Sequence, residues 1–266
     1  MSNEINDCFV RVPDGTIYTR LWSPYGSKGA APVILFHDSI GCVEMWREFP
    51  AALATRLRRL VVAYDRLGFG KSSSRRDLPS VRFVSQEAEI WLPVILRQLG
   101  MQQFIACGHS VGGSMAVSAA ARFPQLCQAV ITESAQPFVE PQTLRSIASA
   151  KIKFSAPAEL AKLAQYHGDK ARWVVDAWTD TWLSPEFHDW NLLAELRQVK
   201  CPLLAIHGDE DEYGSVAFPE VLSSMCGGPG EKLIVQGCGH VPHREAESRV
   251  LDGVEDFLAR AIEKTR

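Results

Sequence analysis

The run Gly108-His109-Ser110-Val111-Gly112 sets a serine between two glycines, with an apolar stretch, Phe104 to Cys107, before it and a small-residue stretch, Ser114 to Phe123, after it. A strand entering and a helix leaving make Gly-x-Ser-x-Gly a sharp turn that lifts the serine Oγ out of the backbone. A Cβ at position 108 or 112 would crowd the adjoining strand and helix, which accounts for glycine at both. The same turn aims the Val111 amide at the space above Ser110, where an oxyanion would form. A serine hydroxyl is a weak nucleophile near neutral pH, so it needs a base, and the base needs an orienting acid.

The C-terminal third offers both, in the order serine, acid, histidine. Leu203 to Gly208 is a short apolar run ending in glycine, followed by Asp209, Glu210 and Asp211. Lys232 to Val235 leads into Gly237-Cys238-Gly239-His240, a glycine-flanked loop able to carry His240 over the strand ends. Sites of open parallel sheets lie at the carboxyl ends of the strands, so all three groups belong to one edge.

From about residue 9 onward the chain resembles the α/β-hydrolase superfamily. Gly208-Asp209-Glu210-Asp211 is similar to its Gly-x-x-Asp acid loop, Gly239-His240 to its terminal Gly-His, and Asp65-Arg66-Leu67-Gly68-Phe69-Gly70-Lys71-Ser72 to its Asp-x-x-Gly-x-Gly-x-Ser turn. Phe36-His37-Asp38-Ser39-Ile40-Gly41 stands where His-Gly-x-x-Gly is usual, with Asp38 in place of glycine. Aspartate tolerates unusual φ better than most residues. The resemblance implies Asp211 as the acid partner of His240, and the amides of Ser39 and Val111 as the oxyanion donors. Glu133, after Ala129 to Thr132, is the competing acid, because some members carry theirs at that strand. The implied chemistry is acyl transfer from Ser110 to water, which requires neither a metal nor an organic cofactor.

The remaining candidates have structural readings. His37 is expected to brace its loop, His109 to pack beside the elbow, and His207 to end a buried strand. His243, the rival of His240, reads as a capping or surface residue at the start of the last helical stretch. Asp209 and Glu210 read as solvated loop charges, and Cys238 as a bystander.

Composition bounds the class of protein. The 266 residues, 46% hydrophobic and 22% charged, suit one large globular domain with an insertion. A formal charge of −3 gives no electrostatic case for nucleic acid, and the clusters Arg56-Leu57-Arg58-Arg59 and Arg75-Arg76 read as solvated faces. No stretch approaches a membrane span, and the polar start Met1 to Asp7 lacks a signal region. Seven cysteines without a CxxC pair fit a reduced, cytoplasmic protein. No feature specifies an oligomeric state.

The elements that would position the site alternate strand and helix. Phe9 to Val12 and Ile17 to Trp22 read as a hairpin, and Val33 to Phe36 and Leu60 to Tyr64 as strands. Met45 to Leu60 and Val81 to Leu99 read as helices, the second kinked at Pro93. Pro24 to Pro32 is a surface turn. The pattern predicts an α/β fold with a mostly parallel sheet covered on both faces.

Residues 135–199 break the alternation and read as a helical cap inserted into a core formed by 1–134 and 200–266. Pro137, Pro141, Pro157 and Pro185 divide the insertion, and four of the seven tryptophans fall in it: Trp173, Trp178, Trp182 and Trp190. Trp178 and Trp182, with Val174 one turn earlier, form an apolar stripe. The stripe packs the cap down, binds the apolar part of a small-molecule substrate, or does both, since a lid must have a buried face. The cap also resembles those of the valacyclovir-hydrolase-like and 3-oxoadipate enol-lactonase-like branches.

The leading expectation is a hydrolase of small-molecule carboxylic esters, thioesters or lactones. A cofactor-free carbon–carbon hydrolase or lyase is the alternative, although such members usually place tryptophan after the terminal histidine, where this chain has Val241. A low-turnover ligand-binding protein is the third. Epoxide hydrolases and haloalkane dehalogenases are disfavoured, because both need an aspartate where this chain has Ser110.

Overall fold

Apolar runs of four to seven residues, too short for helices, become strands wherever neighbours can cover them on both faces. In the computed structural model, which describes residues 3–26 and 29–262, five strands are of this kind, and with two nine-residue strands before them and a partly exposed last strand they form one eight-stranded sheet. They are β1 (Glu4–Val12), β2 (Gly15–Ser23), β3 (Val33–Phe36), β4 (Val61–Tyr64), β5 (Phe104–His109), β6 (Cys127–Glu133), β7 (Leu203–Gly208) and β8 (Gly230–Val235). The spatial order is β1-β2-β4-β3-β5-β6-β7-β8. β1 and β2 form the expected antiparallel hairpin, β2 pairs antiparallel with β4, and all later pairings are parallel. Ser27 and Lys28, in the turn expected over Pro24 to Pro32, lie outside the described residues.

Strand side chains alternate between two cores. Ile34, Phe36, Ala106, Val130 and Leu203 face one, while Val33, Leu35, Ile105, Cys107, Ile131 and Leu204 face the other. The second core is closed by α1 (Phe49–Leu57) and, after the last strand, by the C-terminal helix, through Phe49, Leu53, Val254 and Phe257. The helix expected over Met45 to Leu60 is in fact two pieces, a 3₁₀ turn at Val43–Trp46 and then α1. Pro50 at the second position of α1 lacks the N–H that a continuous helix would need, but an N-terminal turn does not use it. The helix expected over Val81 to Leu99 begins at α2 (Phe83–Gln86), widens into a π turn at Glu87–Trp91 and ends as α3 (Leu92–Gln98). Pro93 cannot donate within a regular helix, and the wider turn before it accommodates that loss. The basic cluster near residue 56 is only partly a solvated face: Arg56 pairs with Asp252, but Arg59 is buried, its guanidinium 3.2 Å from the Ala31 carbonyl.

β5 turns directly into α4 (Val111–Arg122). Between β6 and β7 lie α5 (Pro141–Lys153), α6 (Pro157–His167), α7 (Ala171–Trp182) and α8 (Leu193–Gln198). Pro141 and Pro157 each open a helix, where a missing N–H costs nothing. The neck of this stretch is fastened by an antiparallel bridge from Phe138 to Asn191 and by the Leu192 amide on the Pro137 carbonyl at 2.8 Å. The chain finishes with α9 (Ala217–Met225), a short α10 (Pro242–Glu245) and α11 (Glu247–Ala261), the C-terminal helix named above.

Candidate active site

The sheet order reverses between β3 and β5, and the chemistry gathers at the carboxyl ends of the strands around that point. Ser110 has φ +55° and ψ −128°, a left-handed conformation that costs a residue with a Cβ of the order of 1 kcal/mol and is held by its surroundings. A Cβ on Gly108 would lie 2.1 Å from the Gly112 carbonyl oxygen, and one on Gly112 would lie 2.0 Å from that of Phe36. Glycine at both positions therefore lets β5, α4 and β3 meet closely enough to make the turn.

Ser110 Oγ donates to His240 Nε2 at 3.0 Å, and His240 Nδ1 donates to both carboxylate oxygens of Asp211 at 2.8 Å. Asp211 follows β7 and His240 follows β8, two adjacent strands. Their loops are joined by the Glu210 amide on the Cys238 carbonyl at 2.9 Å. Burial works against ionisation of Asp211, but hydrogen bonds from His240 and from the Tyr213 amide at 2.7 Å outweigh it and hold the carboxyl below its ordinary range.

The amides of Ser39 and Val111 donate to no other described residue. Ser39 and Ser110 line the same cavity, and Val111 opens α4, where N–H groups lack intrahelical partners. The substitution at Asp38 does not rest on an unusual φ: Asp38 is absent from the left-handed residues. Its carboxylate instead accepts the Ile40 amide at 2.8 Å and faces His109 Nδ1 at 3.4 Å.

His109 is more than a packing residue. Its Nε2–H donates to the His240 carbonyl at 2.7 Å while Nδ1 faces Asp38, so one ring joins the loop after β3 to the loop that carries His240. Burial disfavours its charged form, but Asp38 more than compensates and raises its pKa above the ordinary value. His243 is not at the surface. It is buried, with its Nδ1 and backbone amide both 3.0 Å from Glu133 Oε2. Glu133 therefore holds the helix after His240, not His240 itself. His37 accepts the Arg66 amide at 3.0 Å and is kept neutral by burial. His207 is likewise buried and lowered, 3.3 Å from the Gly214 carbonyl. The Asp209 carboxylate caps the Gly237 amide at 2.7 Å. The Cys238 thiol is pushed up to about 12 by burial.

Above Ser110 lies a cavity of about 240 Å³. Trp178 and Trp182 both line it, together with Ile40, Met45, Ile147 and Val241. Val174 packs elsewhere, with Phe69 and Leu163, so the three-residue stripe divides between two surroundings. Sequence reasoning passed over several polar neighbours. Gln136 Nε2 is 3.3 Å from Ser110 Oγ, and the Gln136 backbone carbonyl accepts from Ser114 Oγ at 2.7 Å. The Tyr213 ring lies 4.7 Å from the His240 ring, and Arg244 closes one side with its guanidinium on the Met45 carbonyl. Proximity to Asp211 and His240 along the chain was the available signal for Tyr213 and Arg244.

A family model described as the alpha/beta hydrolase fold matches residues 31–247. The chain belongs to that family. This α/β-hydrolase is 23% identical over 262 residues to the human (Homo sapiens) alpha/beta hydrolase domain-containing protein 17B, covering 98% of this chain and 73% of that protein. Among solved structures it is similar to a bacterial membrane phospholipase A described as a virulence factor, with TM-score 0.77 and 23% identity over 97% of this chain and 86% of that one. It is also similar to the enol-lactonase of Burkholderia xenovorans LB400, with TM-score 0.71 and 18% identity over 94% and 99% of the two chains. These likenesses agree with the mostly parallel, helix-covered sheet.

Proposed function

We propose that this α/β-hydrolase cleaves a small-molecule carboxylic ester, thioester or lactone through a Ser110–His240–Asp211 triad and an acyl-enzyme. The observation that carries the reading is the continuous hydrogen-bond chain from Ser110 Oγ through His240 to Asp211 on the floor of a cavity. His240 Nε2 takes the proton as Ser110 attacks the carbonyl carbon, and Asp211 fixes the tautomer and stabilises the imidazolium. The unpartnered amides of Ser39 and Val111 bind the developing oxyanion, at about 3 kcal/mol per donor where such groups have been removed. His240 then protonates the leaving oxygen or sulfur, and water repeats the sequence on the acyl-enzyme.

Residues 135–199 serve as the cap in this reading, with Trp178 and Trp182 against the apolar part of the substrate. Ester-cleaving names among the structural neighbours, a phospholipase A and an enol-lactonase, support the bond class. Seven unpaired cysteines suit a reducing, cytoplasmic setting.

A fluorophosphonate probe tests the nucleophile. Wild type is labelled on Ser110 and hydrolyses p-nitrophenyl esters or lactones, and Ser110→Ala abolishes both. Labelling that persists in the variant, or maps to Cys107 or Cys238, overturns the assignment.

A further inference from the structure

The space above Ser110 continues past Trp178. A second cleft of about 460 Å³ runs along α5 and shares Ile40, Trp178, Glu212 and Tyr213 with the inner cavity. One side of it is a single helical stripe. Arg145, Ser149 and Lys153 all line the cleft, and their four-residue spacing sets them in a row about 12 Å long. Ala150 on the same helix and Phe154 just after its end add apolar surface, and Ile40 and Trp178 add it from elsewhere.

The charges on this cleft are uneven. Two cations stand against one carboxylate, Glu212. Lys153 Nζ is 4.0 Å from Glu159, but Lys162 holds that carboxylate more closely, at 2.6 Å. The Arg145 guanidinium makes no ion pair or hydrogen bond with any described residue. Glu212 lines both compartments where they meet, so its carboxylate opposes an anion at that junction.

The cleft is also fixed relative to the triad. Gln142 Nε2 donates to the Asp211 carbonyl at 3.1 Å, Thr143 Oγ1 to that of Tyr213 at 2.7 Å, and Ser146 Oγ to that of Glu212 at 2.5 Å. Three successive carbonyls of the acid loop are thus tied to the first two turns of α5. That helix cannot lift without disturbing Asp211, and the outer cleft keeps one geometry toward Ser110.

We propose, resting on the ester-hydrolase reading above, that the outer cleft is a distal subsite for an extended substrate. Its apolar walls take a methylene chain, and Arg145 with Lys153 selects a terminal oxyanion, a carboxylate or a phosphate. The reacting carbonyl then lies inward at Ser110 and the charged end outward on α5.

The test uses p-nitrophenyl monoesters of dicarboxylic acids of increasing length, their methyl-capped partners and phosphate-ended equivalents. These are assayed on wild type, Arg145→Gln, Lys153→Gln, the double variant and Arg244→Gln. Wild type prefers the charged ester over its capped partner at one span of chain lengths. The double variant reduces that preference through KM by about fivefold, the scale of one partly exposed ion pair, and added salt reduces it in wild type. The carboxylate and phosphate series separate the two anions.

No preference at any length overturns the proposal. So does a preference lost in Arg244→Gln but kept in the α5 variants, because the anion then sits in the inner cavity. Hydrolysis of p-nitrophenyl acetate by wild type but not Ser110→Ala checks the underlying reading separately. If that reading fails, titrating the same dicarboxylate monoesters into Ser110→Ala, followed by tryptophan fluorescence, still decides the subsite: unchanged affinity on adding Arg145→Gln and Lys153→Gln rejects it.

Discussion

Two buried acid–histidine pairs compete for the part of triad acid, and their residues have different surroundings. Asp211 is bonded to His240, whereas Glu133 is bonded to His243 and carries an oxygen, Oε1, with no partner among the described residues. Asp211→Asn is expected to lower kcat by about 10⁴, as loss of the correct tautomer does in other triads, with the melting temperature little changed. Glu133→Gln is expected to do the reverse, lowering the melting temperature while kcat stays within a few-fold. Esterase kinetics beside thermal melts read both, and an exchange of the two effects moves the acid to β6. A third pair, His109 with Asp38, gives a pH signature. The His109 pKa is raised from 6.5 and the Asp38 pKa is lowered from 3.8, with Glu133 adding to the field on His109. The His109 contribution is therefore full below pH 6.5 and is lost as pH rises through its raised value. The Asp38 contribution is full above pH 3.8 and is lost on acidification through its lowered value. The gap in melting temperature between wild type and Asp38→Asn should be widest near pH 5 to 6 and narrow toward pH 9. A gap that widens with alkalinity would mean that the ring is neutral.

At the scale of elements, α7 brings two tryptophans to the cavity in unequal surroundings. Trp182 is 2% exposed and meets Phe187 and Trp190 edge to face, with ring centroids 5.0 and 5.9 Å away. Trp178 touches Tyr213 instead, at 6.0 Å, and borders both the inner cavity and the outer cleft. Truncating each to alanine should separate packing from binding. Trp182→Ala is expected to cost about 3–5 kcal/mol of stability, because it empties a closed aromatic cluster. Trp178→Ala is expected to raise KM for long-chain esters by about tenfold relative to acetate esters, since one lost apolar contact is worth about 1–2 kcal/mol. Ester chain-length profiles with thermal melts check both. Uniform losses across substrates for Trp178→Ala would make that side chain structural.

Across the whole molecule, the sheet separates the nucleophile helix and its cavity from the core beneath α1 and α11. Phe257 is 1% exposed in that far core. Phe257→Ala should therefore cost about 3–5 kcal/mol in denaturant unfolding. Fluorophosphonate labelling per folded molecule should remain at the wild-type rate. Slower labelling at temperatures where the variant is fully folded would show that the two cores are mechanically coupled.

Sequence alone determined what depends on neighbours along the chain. The elbow follows from glycines two residues either side of Ser110: the clash avoided at Gly108, with the Gly112 carbonyl, is local, although the one avoided at Gly112, with the Phe36 carbonyl, is set by the fold. The strands follow from short apolar runs, and the chain positions of Ser110, Asp211 and His240 follow from glycine-bounded loops after such runs. Tertiary structure decided which distant groups meet. Glu133 ends β6 and Asp211 lies in the loop after β7, and either could serve as the acid by sequence, yet Glu133 reaches His243 across 110 residues while Asp211 reaches His240. His109 contacts the His240 carbonyl from 131 residues away, and Asp38, where glycine is usual, faces the His109 ring. Buried polar groups must be satisfied by whatever the fold brings near, and periodicity fixes only the face on which a side chain emerges. For the same reason the outer cleft on α5 was illegible: its walls come from four separate segments, and no local pattern specifies that they enclose one space.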